Sequence, residues 1–127
     1  MIEWDTFHNT EYLDDGEDRI HIVLVSSNGT MTELAETSPL AIRSDGSGTP
    51  GQMWVDYCSD GIMKVCINTN GNRKPEDPQA TADVNLSEHF EGNMVVVGYT
   101  AGTWARADYQ DILDWQFSQT SLSCPSV

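Results

Sequence analysis

Short runs in which apolar and polar residues alternate recur along the chain, each bounded by turn-forming residues. Residues 2–7 set Ile2, Trp4 and Thr6 on one side against Glu3, Asp5 and Phe7 on the other, the period of two of a strand. RIHIVLVSS, residues 19–27, is apolar on both faces, as in a strand covered on both sides. GQMWVDYC (51–58) and IMKVCIN (62–68) flank Asp60-Gly61, which predicts a hairpin with a two-residue turn. ADVNLS (82–87) turns Val84 and Leu86 inward, NMVVVGYTA (93–101) is largely apolar, and ILDWQFS (112–118) alternates Leu113, Trp115 and Phe117. Polar loops such as RSDGSGTPG and NTNGNRKPEDPQ lie between these runs. The one helical signal is a single turn at LSEHF, with Ser87 placed to cap it. The pattern predicts an all-β, antiparallel sandwich or jelly roll. The final residues, SQTSLSCPSV, read as a frayed tail.

A chain of 127 residues fits one domain. Its 20 acids against 6 bases give a net charge of −14. Nucleic acid is excluded as a partner, since phosphate binding needs clustered Lys and Arg. No apolar run reaches the ~18 residues of a membrane span, so no membrane insertion is expected. The acidic N-terminus lacks an apolar h-region, so no signal peptide is expected in this chain. Asn28-Gly-Thr and Asn85-Leu-Ser match the glycosylation acceptor pattern, which has meaning only in a secreted protein. Cys58, Cys66 and Cys124 match no zinc spacing. With a two-residue turn, Cys66 would face Val55 and Cys58 would face Met63. The two thiols would then point to opposite faces, which argues against a direct bridge. Cys124 could pair with either, or all three could be free.

The acids are not evenly spread. Glu3, Asp5, Glu11, Asp14, Asp15, Glu17 and Asp18 all precede the first Lys or Arg. Such a run is ordinarily a solvated face. Its opening is different, because alternation puts Glu3 and Asp5 on one strand face about 6–7 Å apart. Two carboxylates so placed repel unless a positive charge sits between them. A strand returning at RIHI would bring His21 beside them. Carboxylate and amide oxygens with a carbonyl suit Ca²⁺; adding an imidazole suits Mn²⁺ or another transition metal. A shared Asp could bridge two such ions. The plainer reading of a lone His in an apolar strand is a hydrogen-bonded core residue.

EWDTFHNTEYLDD followed by His21 resembles the metal-binding segment of the legume-type (L-type) lectins, the concanavalin A-like family. That segment runs Glu-apolar-Asp-Thr-aromatic-x-Asn, then Asp, then His. MWVDYCSDGIMKVCIN resembles the family's Trp-hairpin, and ADVNLSEHF its Asp-Val-Asp-Leu strand and turn. VVVGYTAGTWARADYQDILDWQFS is similar to its closing run. The resemblance covers residues 2–118 and implies a concanavalin A-like antiparallel β-sandwich. It implies Glu3, Asp5, Asp14 and His21 on the transition metal, and Asp5, the Phe7 carbonyl, Asn9 and Asp14 on Ca²⁺. It also implies that Asn9 and the Phe7 ring face a glycan or monosaccharide. Residues 102–109 match the loop that tunes specificity, where Gly102 and Thr103 would offer backbone N–H groups and Trp104 or Arg106 further contacts. The family's setting implies an extracellular, secreted protein.

This sequence departs from the family pattern in ways that bear on the site. Two extra residues separate Asp14 from His21, and Asp15 adjoins Asp14, so either could be the ligand. Val23 and Val25 replace a Gly and an Asp of the family. The family's other half, with its Ala-Asp cis-peptide and Gly-rich loop, has no counterpart here. The expected domain is therefore partial, residues 1–118, with a tail at 119–127. It would leave strand edges and an apolar face for a homo-oligomer or a complementing lectin half. β-Glucan hydrolases share this architecture, with Glu-x-Asp-x-x-Glu or Glu-x-Asp-x-Glu carrying the second catalytic acid. Here Thr6, Phe7 and His8 follow Glu3-Trp4-Asp5, so the chain is expected not to be an enzyme. The other alternative is a metal-stabilised structural or interaction domain that binds no sugar.

Overall fold

The computed structural model describes residues 1–5, 18–40, 51–69, 71–90, 92, 94–101 and 111–119. Among them are six strands and one 3₁₀ turn: β1 (Ile2–Asp5), β2 (Arg19–Val25), β3 (Met31–Glu36), β4 (Gln52–Tyr57), β5 (Ile62–Asn68), β6 (Ala80–Asp83) and the turn Leu86–Glu88. They form two three-stranded sheets, ordered β1-β2-β3 and β4-β5-β6, with every pair antiparallel. This is the all-β, antiparallel sandwich architecture that the alternation predicted.

The core follows from alternation. Ile20 and Ile22 of β2, fully or almost fully buried, meet Val65 and Ile67 of β5 and the small side chains of Ala80 and Ala82. Ile2, Leu34, Ala35, Met53 and Met63 pack around this cluster. Beyond the end of β3, Thr37 prolongs the ladder. Its N–H donates to the Ile20 carbonyl at 2.9 Å and its Oγ1 accepts from the Ile20 N–H at 3.1 Å. That pairing is why a Thr can lie buried at this point.

Two hairpins set the registers, and both use the same loop. In Ser26–Thr30 the Ser26 N–H donates to the Thr30 carbonyl and the Gly29 N–H to the Ser26 carbonyl, each at 2.9 Å. In Cys58–Ile62 the corresponding bonds are 3.1 and 3.0 Å. Gly29 and Gly61 both have φ of +83°. This is a three-residue loop closed by a glycine in the left-handed region. It corrects the two-residue turn expected at Asp60-Gly61 and shifts the register by one, so Trp54 pairs with Cys66 and Tyr57 with Met63. Continued alternation then puts Cys58 and Cys66 on the same face, not opposite faces. They stay apart because they lie at opposite ends of the hairpin. Cys58 is disulfide-bonded and Cys66 is a free, buried thiol. Cys124 lies outside the described residues.

Other expectations need correcting. The 3₁₀ turn at Leu86–Glu88 is capped by Asn85, whose side-chain oxygen accepts from the Ser87 N–H at 3.2 Å, and not by Ser87. Leu86 sits in this turn, its N–H donating to the Tyr57 hydroxyl at 3.1 Å. The apolar stretches 94–101 and 111–119 carry no strand. Val96 is 100 % and Leu113 76 % exposed, and Trp115 and Phe117 are exposed too. Tyr99 and Trp115 meet edge to face, with ring centroids 5.8 Å apart. Among the described residues neither stretch pairs with another strand, and a strand needs a neighbour to take its backbone groups. Conversely, β3 is a strand that alternation did not announce.

Candidate metal and sugar site

β2 carries its core residues on one face and His21 on the other. In the β1–β2 ladder Glu3 stands directly opposite His21, Trp4 opposite Ile20 and Asp5 opposite Arg19. In the β2–β3 ladder Glu36 stands opposite His21 on the other side. Residues opposed across a ladder share a face, so Glu3, His21 and Glu36 form one row across the sheet. His21 is only 6 % exposed.

The β2–β3 ladder is irregular between Ile22 and Val23. Ala35 pairs with Ile22 and Glu33 with Val23, so Leu34 is an extra residue on β3. Without it, Glu33 and Glu36, three apart, would face opposite sides of the sheet. With it, both reach the His21 face, while Leu34 and Ala35 both pack on the core. Bulges re-aim side chains in this way. The result is an imidazole held by one carboxylate, with Glu33 Oε2 2.8 Å from His21 Nδ1. One ligand atom each of His21, Glu33 and Glu36 falls within 4.8 Å of the others. Arg19 Nη1 sits 3.7 Å from Glu36 Oε1 and donates to the Thr37 carbonyl at 2.9 Å, giving the row its cationic edge.

Of the residues singled out from sequence, Glu3 and His21 are thus adjacent, and Asp5 ends β1. Phe7, Asn9, Asp14, Gly102, Thr103 and Trp104 lie outside the described residues. Glu33 and Glu36 are the residues that sequence reasoning missed. The signal available was two acids three apart in TELAE, which only a bulge can turn to one face. A nitrogen donor among carboxylates is chemically suited to Mn²⁺ or a similar transition metal.

A family model described as legume lectin domain matches residues 1–126. Among curated proteins, those similar to this chain include three from Arabidopsis thaliana. L-type lectin-domain containing receptor kinase I.8 is 32% identical over 134 residues, covering 99% of this chain and 20% of the relative. L-type lectin-domain containing receptor kinase VII.1 is 28% identical over 130 residues, 96% of this chain and 18% of the relative. L-type lectin-domain containing receptor kinase I.7 is 34% identical over 82 residues, 64% of this chain and 12% of the relative. The chain therefore spans a fifth or less of the length of these relatives. No solved structure matches.

Proposed function

This chain belongs to the legume lectin domain family, and from that premise we propose that it binds carbohydrate at a site organised by Ca²⁺ and Mn²⁺ or another transition metal. The observation that carries the reading is the row Glu3–His21–Glu36, which sets a buried imidazole between carboxylate-bearing neighbours. Glu3, Asp5, Asp14 and His21 would hold the transition metal. Asp5, the Phe7 carbonyl, Asn9 and Asp14 would hold Ca²⁺. When bound, the two ions supply the positive charge that relieves repulsion among these acids and fixes the segment that bears them. Asn9 then donates from its amide to a sugar hydroxyl, and the Phe7 ring covers an apolar C–H face of the sugar. Gly102 and Thr103 would offer backbone N–H groups, and Trp104 or Arg106 further contacts, that select among glycans.

The chain acts as a binding domain and not as a catalyst. The receptor-kinase names of its relatives support an extracellular setting, and the exposed apolar stretches support association with a second copy or a complementing lectin half.

A glycan array read with Ca²⁺ and Mn²⁺, then after chelation, tests the proposal. Retention of specific glycans is expected, with loss on chelation and recovery on adding both metals. Glycan retention that ignores chelation rejects the metal dependence. No retention on a folded, metal-loaded chain rejects sugar binding in favour of a structural domain.

A further inference from the structure

We propose that Glu33 is the positioning residue for His21: it locks the imidazole in its Nδ1–H form and leaves Nε2 as the one nitrogen with a lone pair for a metal. The inference rests on the metal-site reading above. It starts from the bond itself, 2.8 Å between His21 Nδ1 and Glu33 Oε2. An ionised carboxylate only accepts, so the proton of this bond belongs to Nδ1. A neutral imidazole with Nδ1 protonated carries its lone pair on Nε2. Metal-binding histidines commonly hand their second N–H to a carboxylate, which fixes the ring and raises its basicity.

Two further features point the same way. His21 is buried, with a side chain 7 % exposed against 28 % for Glu33, so little water competes for Nδ1. The extra residue Leu34 is what turns Glu33 onto the His21 face at all. Glu36 is differently occupied, beside Arg19 at 3.7 Å. A metal held by Glu33, Glu36 and His21 Nδ1 together would first have to displace the Nδ1 proton and break the Nδ1–Glu33 bond.

The test uses the full chain with ¹⁵N-labelled histidine. Long-range ¹H–¹⁵N correlation on the metal-free protein is expected to show the Nδ1–H tautomer at His21. Glu33→Ala is expected to lose that tautomer and to weaken Mn²⁺ binding about 10- to 100-fold, with Ca²⁺ binding unchanged. Glu33→Gln keeps an oxygen acceptor, so it is expected to restore the tautomer and most of the Mn²⁺ affinity. An Nε2–H tautomer in the metal-free chain overturns the inference, as does unchanged Mn²⁺ affinity in Glu33→Ala. Equal losses in Glu33→Gln, Glu33→Ala and Glu36→Ala would mark the carboxylates as direct ligands and overturn it too. A wild-type chain that binds no Mn²⁺ overturns the metal site and this inference with it. That outcome is recognised separately, because the tautomer is read without metal.

Discussion

At the scale of single residues, His21 concentrates the chemistry. It is expected to serve the transition-metal position alone, since Ca²⁺ takes oxygen ligands. His21→Ala should therefore weaken Mn²⁺ binding far more than Ca²⁺ binding in calorimetric titrations; equal loss of both would argue against two separate sites. The neighbourhood of Glu3 and His21 is readable from the sequence because it needs only alternation in IEWD and an antiparallel return through RIHI. Glu33 was not readable, because its facing depends on one unpaired residue, Leu34. Cys66 makes the opposite case. Its thiol is buried and free, and desolvation pushes its pKa up. A thiol whose folded pKa exceeds its unfolded one contributes stability below the unfolded value, lost as pH rises through the folded value. At neutral pH it stays a thiol, and the thiolate is the nucleophile. Cys66 should therefore resist a disulfide-exchange reagent such as DTNB in the folded chain and react promptly in denaturant. Prompt reaction in the folded chain would contradict the burial.

Among the elements, the strands that alternation identified in full are those with a covered face and a tight turn at hand. β2, β4 and β5 lie within the runs that the pattern marks; β2 and β5 supply Ile20, Ile22, Val65 and Ile67 of the core, and Met53 of β4 packs against it. β3 escaped because its bulge sets Leu34 and Ala35 inward side by side, which breaks the period of two. The turn at 58–62 differs from its expectation for a related reason. Asp60-Gly61 signals a left-handed glycine but leaves the loop length open, and one residue changes every partner in the ladder. The glycines of these loops give a direct check. A Cβ at Gly29 would meet nothing within 4 Å, and at Gly61 only ordinary contacts of 3.8 and 3.9 Å. The cost of a substitution is then the backbone alone, roughly 1–2 kcal/mol for a left-handed non-glycine residue. Gly29→Ala and Gly61→Ala should each lower stability by about that amount in urea melts, and Gly29→Asn by less, because Asn tolerates this conformation. A neutral Gly61→Ala would contradict the loop geometry.

For the whole molecule, two opposed tendencies decide what the chain does in solution. Its net charge of −14 drives copies apart. Against this stand the exposed apolar side chains of 94–101 and 111–119, of which Tyr99 and Trp115 meet edge to face among the described residues. Covering three of them would gain roughly 4.5–9 kcal/mol at 1.5–3 each. The repulsion acts between exposed charges and is screened over about 8 Å at physiological salt. At close approach the apolar term is therefore expected to win. Sedimentation velocity should show association that grows with chain concentration and with added salt, since salt weakens only the opposing force. Val96→Lys with Leu113→Lys should suppress it without unfolding the chain, because both side chains lie outside the Ile20–Val65 core. If the double variant associates as strongly as the parent, the attraction comes from elsewhere, such as the edges of the two sheets. If salt instead disperses the assemblies, they are held by charge, and these stretches are not what brings the copies together.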